Sequence, residues 1–192
     1  RLLDELDALS LREKTLVVFT TDNGPEVPAD LADCPGGLRC FSVGDPGPHR
    51  GRKRSLYEGG THVPFIASMP STIRSDVFSA GAFSSADWLP TVVAMAGVNI
   101  TEQEAEGMLG QDVSALLLQG DPRVDGGVST YHLARPPHRA MMFEYRWSPR
   151  GYAPCQDVSP RWAIRDWLPG SDLKLLANDD GSRTELFNLS AE

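Results

Sequence analysis

Leu16-Val17-Val18-Phe19-Thr20-Thr21-Asp22-Asn23-Gly24-Pro25 decides the reading of this chain: an apolar run delivers a carboxylate and an amide oxygen side by side at its end. The run is continuously apolar and β-branched, which predicts a strand over 15–20 buried on both faces. In open α/β sheets ligands gather beyond the carboxyl ends of strands. Asp22 and Asn23 carry the hard oxygen donors that Ca²⁺ or Mg²⁺ takes. Asn-Gly is equally a hairpin signal, so residues 19–25 alone leave metal ligand and plain turn both open.

Further on stands Arg50-Gly51-Arg52-Lys53-Arg54-Ser55-Leu56-Tyr57-Glu58-Gly59-Gly60-Thr61-His62-Val63-Pro64-Phe65-Ile66-Ala67. An apolar strand ending in Thr-x-Asp-Asn-Gly-Pro, then a loop, then Gly-x-Lys-x-Ser-Leu-Tyr-Glu-Gly-Gly-x-x-Val-Pro-Phe-Ile, resembles the type I sulfatases, the arylsulfatase-like branch of the alkaline phosphatase superfamily. The likeness continues through Ser85–Gly97, Gly110-Gln111-Asp112-Val113-Ser114 and residues 161–189, and is thinnest over 27–48 and 119–160.

The resemblance implies sulfate-ester hydrolysis. Asp22 and Asn23 would be ligands of a divalent cation, Ca²⁺ by preference, and Lys53 would be a catalytic residue that also binds the sulfuryl oxygens. An ammonium is a compact charge with three donors, suited to an oxyanion. The family commonly has Gly where Arg54 stands and Arg or Lys where His62 stands, so Arg54, Arg50 and His62 are candidates for tuning substrate choice, with His62 taken as substrate-binding. Glu58, beside two glycines that permit close backbone approach, reads as a loop tie to backbone N–H groups or an arginine rather than as a general acid. His49, His132 and His138 show no metal-like spacing and read as surface or loop residues.

The family's Cys-x-Pro-x-Arg, whose cysteine is oxidised to formylglycine, does not occur here: Cys34 is followed directly by Pro35. The expectation is therefore a C-terminal portion of a longer sulfatase, with formylglycine and two further metal aspartates upstream. Two oxygen ligands fall short of the roughly six to eight that Ca²⁺ takes, so this portion alone should bind metal weakly and turn over nothing.

Composition narrows the rest. With 41% hydrophobic and 8% aromatic residues the chain is not of the disordered class. It has no apolar run long enough for a membrane span and opens on no secretory signal. A net charge of −8 repels anionic substrates on average, so attraction must be local. His49-Arg50-Gly51-Arg52-Lys53-Arg54 is the one dense basic run, and without an overall basic balance it does not point to nucleic acid. Asn99-Ile100-Thr101 and Asn188-Leu189-Ser190 satisfy the glycosylation pattern and point to the secretory pathway, secreted or lysosomal. Cys34 and Cys40 are close enough to close a small loop and leave Cys155 over; reduced buried thiols are an equal alternative.

The fold class expected is α/β: the C-terminal part of a large mixed sheet flanked by helices, alkaline phosphatase-like, followed by a small antiparallel four-stranded subdomain. The boundaries read are 1–120 for the catalytic α/β part, 121–138 for a crossover rich in Pro, Gly and charge, and 139–192 for the small subdomain. Strands are expected near 140–146, 161–166, 172–177 and 184–188. A helix over 86–96 is expected to be capped by Ser85 or Asp87 and stopped by Gly97. The competing functions are a phosphodiesterase or phosphatase of the same superfamily, disfavoured because Asp22-Asn23 suits one metal, and a catalytically inactive relative that binds sulfated glycans.

Overall fold

The computed structural model describes residues 1–25, 44–75, 78–79, 82–118, 130–131, 140–146, 158–168 and 171–190. In chain order the elements are α1 (Leu2–Ala8), β1 (Val17–Thr20), the one-turn α2 (Glu58–Thr61), β2 (Phe65–Ser68), β3 (Phe78–Ser79), α3 (Trp88–Met95), α4 (Glu102–Glu106), α5 (Ser114–Leu118), β4 (Thr130–Tyr131), β5 (Met141–Glu144), β6 (Trp162–Leu168), β7 (Ser171–Ala177) and β8 (Glu185–Asn188). They fall into two units, Arg1–Phe19 with Ile66–His138 and Thr20–Phe65 with Arg139–Glu192. Cys34, Cys40, Cys155, His132 and His138 lie outside the described residues.

In the first unit β1 pairs with β2, and β3 pairs in parallel with β4. The Arg12 guanidinium donates to the Ser68 hydroxyl at 2.6 Å, and the Ser71 hydroxyl donates to the Glu13 carbonyl. Burial of β1 on both faces is not found: Val17 and Val18 are half-buried and Phe19 is 60% exposed. Among the described residues β2 is the one strand paired with it.

A 3₁₀ turn, Ser85–Asp87, leads into α3. The 3₁₀ turn is capped by Ser84, whose amide donates to the Asp87 carboxylate at 2.8 Å in a closed capping box, and Asp87, one of the two caps expected, is the N-cap residue of α3. The other oxygen of Asp87 accepts from the Gln111 amide at 2.8 Å. The Thr91 hydroxyl donates to the Asp87 carbonyl and accepts from the Val113 amide, so two buried polar side chains pin the loop after α4 onto α3. Pro90 sits in the first turn of α3, where its missing N–H costs nothing. Gly97 stops the helix, and the Ser114 amide donates to Asp112 ahead of α5.

The second unit holds the expected antiparallel sheet, β5-β6-β7-β8, each strand beside its sequence neighbour. Side chains alternate across a strand, and the register gives the sheet two unlike faces. One contributes Phe143, Ala163, Leu176 and Phe187, which pack with Leu56 and Tyr57 into an apolar core. On the other, Met142, Ile164, Leu175 and Leu186 stand opposite one another strand by strand and remain exposed.

Candidate active site

All four residues expected to act fall in the second unit, Asp22 and Asn23 just beyond the end of β1 and Lys53 and His62 on either side of the Glu-Gly-Gly turn. The Thr21 hydroxyl donates to the Asn23 carbonyl at 3.1 Å, shaping the turn after the strand. Asp22 is exposed and Asn23 half-buried, and among the described residues neither side chain enters a hydrogen bond. A carboxylate and an amide oxygen without partners among the described residues fit a pair of hard-cation ligands. Among the described residues no three His, Cys, Asp or Glu side chains gather into a cation site.

Two main-chain hydrogen bonds lay this turn against the basic loop. The Gly24 amide donates to the Gly60 carbonyl at 3.0 Å, and the Lys53 amide donates to the Pro25 carbonyl at 2.9 Å. The approach is possible only without side chains. A Cβ on Gly24 would stand 1.8 Å from the Gly59 carbonyl oxygen, and one on Gly60 would stand 2.1 Å from that of Ser55. The Gly59 amide in turn donates to the Arg50 carbonyl at 2.8 Å, so residues 50–60 fold back on themselves around half-buried Lys53.

Arg54 adopts φ +72°, the left-handed region where an L side chain is strained. That conformation gives a physical reason for the glycine that the resemblance implies at this position. Replacing Arg54 with Gly should therefore leave the protein about 1 kcal/mol more stable than replacing it with Ala, since both variants lose the same side chain and only Ala keeps the strain. Chemical denaturation of the two variants side by side checks this.

Glu58 opens α2 and is held by the C-terminal sheet. Its Oε1 accepts from Lys174 Nζ at 2.6 Å and its Oε2 from Arg165 Nη1 at 3.1 Å. Lys174, 1% exposed, also donates to the Thr61 hydroxyl at 2.9 Å. Arg165 forks onto both carboxylate oxygens of Asp172. Burial pushes the Glu58 carboxyl up, but Lys174 and Arg165 outweigh it and leave it below the ordinary value. Lys174 is lowered by its burial despite Glu58, whereas Arg165, also penalised by burial, is raised by Asp172 and Glu58. The loop tie expected of Glu58 is therefore an arginine joined by a buried lysine.

A pH dependence follows. The folded-state pKa of Glu58 lies below its ordinary 4.5, so its contribution to stability is whole above that value and is lost as pH falls through the folded pKa. The urea midpoint should drop on acidification below pH 4.5, and Glu58→Gln should flatten that part of the profile.

His62 follows α2 with a half-exposed side chain, its Nδ1 3.5 Å from Glu58 Oε2. Its ring packs at a tilt of 37° against that of His49, 4.7 Å between centroids, giving His49 a place that its sequence context did not reveal. Burial lowers the pKa of His62, partly opposed by Glu58. Tyr57, the residue before Glu58, is buried and donates to Glu185 at 2.8 Å, with the Arg50 guanidinium 4.0 Å over its ring. The Leu56 amide donates to Ser159 at 2.8 Å, a further bond between this loop and the C-terminal segment.

Lys174 and Arg165 are the residues that sequence reasoning missed. A signal for Lys174 existed: in Leu173-Lys174-Leu175-Leu176 it shares strand parity with Leu176, hence the buried face.

With this geometry in place the comparisons are direct. The sulfatase family profile matches residues 1–98, just over half of the chain and the stretch that holds Asp22, Asn23, Lys53 and His62; the chain belongs to the sulfatase family. It is similar to human arylsulfatase A, 38% identical over 118 residues that make up 61% of this chain and 20% of that protein. Mouse arylsulfatase G is 33% identical over 59% of this chain and 21% of its own length. The N-acetylgalactosamine-6-O-sulfatase of Bacteroides thetaiotaomicron is 32% identical over 54% and 20%. The chain thus spans about a fifth of the length of the curated relatives it matches. The crystal structure of PsFucS1 sulfatase from Pseudoalteromonas sp. aligns with TM-score 0.49 and 21% identity over 98% of this chain and 31% of that one.

Proposed function

We propose that the polypeptide carrying this chain is a sulfuric ester hydrolase, and that this chain supplies part of its metal site and part of its sulfate site. One observation carries the reading: the bonds Gly24 to Gly60 and Lys53 to Pro25 lock the Asp22-Asn23 turn and the Lys53 loop into one packed piece of backbone. Asp22 and Asn23 would hold a divalent cation, Ca²⁺ by the hardness of their oxygens, with the remaining ligands from elsewhere in the polypeptide. When bound, that ion would neutralise charge on the sulfate ester and orient the nucleophile, a formylglycine in this family. Lys53 would donate to the sulfuryl oxygens as charge moves toward the leaving group. His62, braced by Glu58, would contact the alcohol side of the substrate.

Substrates of this class are small-molecule or glycan sulfate esters. The names of the relatives, which include arylsulfatases, an N-acetylgalactosamine-6-O-sulfatase and a steryl-sulfatase, span aryl, sugar and steroid leaving groups. No described helix is long and apolar enough to cross a membrane. Asn99 and Asn188 are both exposed, as glycosylation in the secretory pathway requires, and a secreted or lysosomal glycoprotein is the corresponding proposal. The division 1–120, 121–138 and 139–192 is kept as the proposed domain organisation.

Asp22→Ala in the complete polypeptide tests the metal assignment. Hydrolysis of a chromogenic aryl sulfate should fall by about 10³-fold or more while the far-UV circular dichroism is unchanged. Undiminished turnover would remove Asp22 from the metal site.

A further inference from the structure

We propose that Lys174 and Arg165, on the C-terminal sheet, are positioning residues for sulfate-ester hydrolysis, acting through Glu58 on the loop that carries Lys53 and His62. The proposal rests on the functional reading above and extends it to residues beyond the span matched by the family profile, 1–98.

Lys174 grips both ends of one helical turn. Its Nζ donates to Glu58, the first residue of α2, and to Thr61, the last, while lying 5.7 Å from the centre of the Phe143 ring. That turn cannot shift alone. Gly59 is bonded to Arg50 and packed on Gly51, and Gly60 is bonded to Gly24 and packed on Ser55 and Arg52, the residue before Lys53. Displacing α2 therefore displaces the backbone on both sides of Lys53 and the bond to the Asp22-Asn23 turn. His62 reads the same clamp from its other end, because the Glu58 oxygen that accepts from Arg165 is also the one 3.5 Å from His62 Nδ1.

The chemistry of the clamp argues for a role beyond cohesion. Glu58, Asp172, Lys174 and Arg165 form two cations and two anions, nearly removed from water. A buried set of this kind is weak evidence for stability, since apolar residues of similar volume hold elements together as well. What charge pairs add is direction: each fixes a donor and an acceptor at one distance. A site needing its lysine held to a fraction of an ångström gains from that, because misplacement by about 1 Å costs on the order of 100-fold in rate.

The experiment uses the complete polypeptide with a chromogenic aryl sulfate, comparing Lys174→Met, Lys174→Arg, Glu58→Gln and the double variant Glu58→Gln with Lys174→Met. Turnover by the unmutated protein tests the functional reading, and only the variants test this proposal, so the two failures are distinguishable. The expected result is that at least one of Lys174→Met and Glu58→Gln keeps the native circular dichroism yet loses about 10- to 100-fold in kcat with KM moved less than about threefold. Lys174→Arg should recover most of the loss, and the double variant should be no slower than the slower single variant. The proposal is overturned if the folded variants keep kcat within about threefold, or if in both single variants the loss is accounted for by the unfolded fraction.

Discussion

Lys53→Ala in the complete polypeptide is expected to lower kcat for an aryl sulfate by about 10²–10³-fold, the usual cost of removing one preorganised donor to a developing oxyanion. Lys53 is half-buried, and its amide is committed to the Pro25 carbonyl, so its backbone position does not depend on the side chain. The variant should therefore fold as the parent does. Lys53→Arg should recover little, because a planar guanidinium presents its donors in a different geometry from a compact ammonium. Steady-state kinetics on the three proteins, with melting curves alongside, checks both statements. A fall confined to KM would assign Lys53 to ground-state binding alone.

Gly24→Ala is expected to be strongly damaging for a single added methyl group. The new Cβ would meet the Gly59 carbonyl oxygen at 1.8 Å and the Gly60 Cα at 3.1 Å, both main-chain atoms with no rotamer to escape into. The Asp22-Asn23 turn and the Glu-Gly-Gly turn would have to part, and with them the bond from the Gly24 amide to Gly60. A destabilisation of about 3 kcal/mol is expected from overpacking together with the lost hydrogen bond. Denaturation measures it, and loss of sulfatase activity should exceed what the unfolded fraction explains. A stable, active Gly24→Ala protein would mean that the two turns do not touch.

The parts of this molecule legible in the sequence are those whose signal is local. Residues 161–166, 172–177 and 184–188 are short strand-like runs separated by turn residues, and they form β6, β7 and β8 as expected. Asp22-Asn23 and the Lys53 to Gly60 loop were legible as motifs because their order and spacing are specific, and backbone bonds do join them. Contacts between distant residues were not legible. Lys174 pairs with Glu58 across 116 positions, and a lysine in a strand ordinarily reads as solvated. The exposure of Phe19 escaped for a related reason: an apolar run states what a strand would bury, whereas the neighbouring elements decide what it does bury. Asp87 is the N-cap residue of α3, as one of the two expected alternatives had it, whereas the capping box that it closes with Ser84 across the preceding 3₁₀ turn was not read from the sequence. Helix α4 passed unread although Thr101-Glu102-Gln103-Glu104 has the capping-box pattern that the structure shows closed.

The central claim is that the Asp22-Asn23 turn and Lys53 serve one sulfate group. A double-mutant cycle of Asp22→Ala and Lys53→Ala, read as kcat/KM for an aryl sulfate by the complete polypeptide, tests it most directly. If both act on the same group, the double variant should be no slower than the slower single variant, within about threefold. Losses that multiply, as they do for independent sites, would place the cation and the ammonium group on different chemistry and contradict the account.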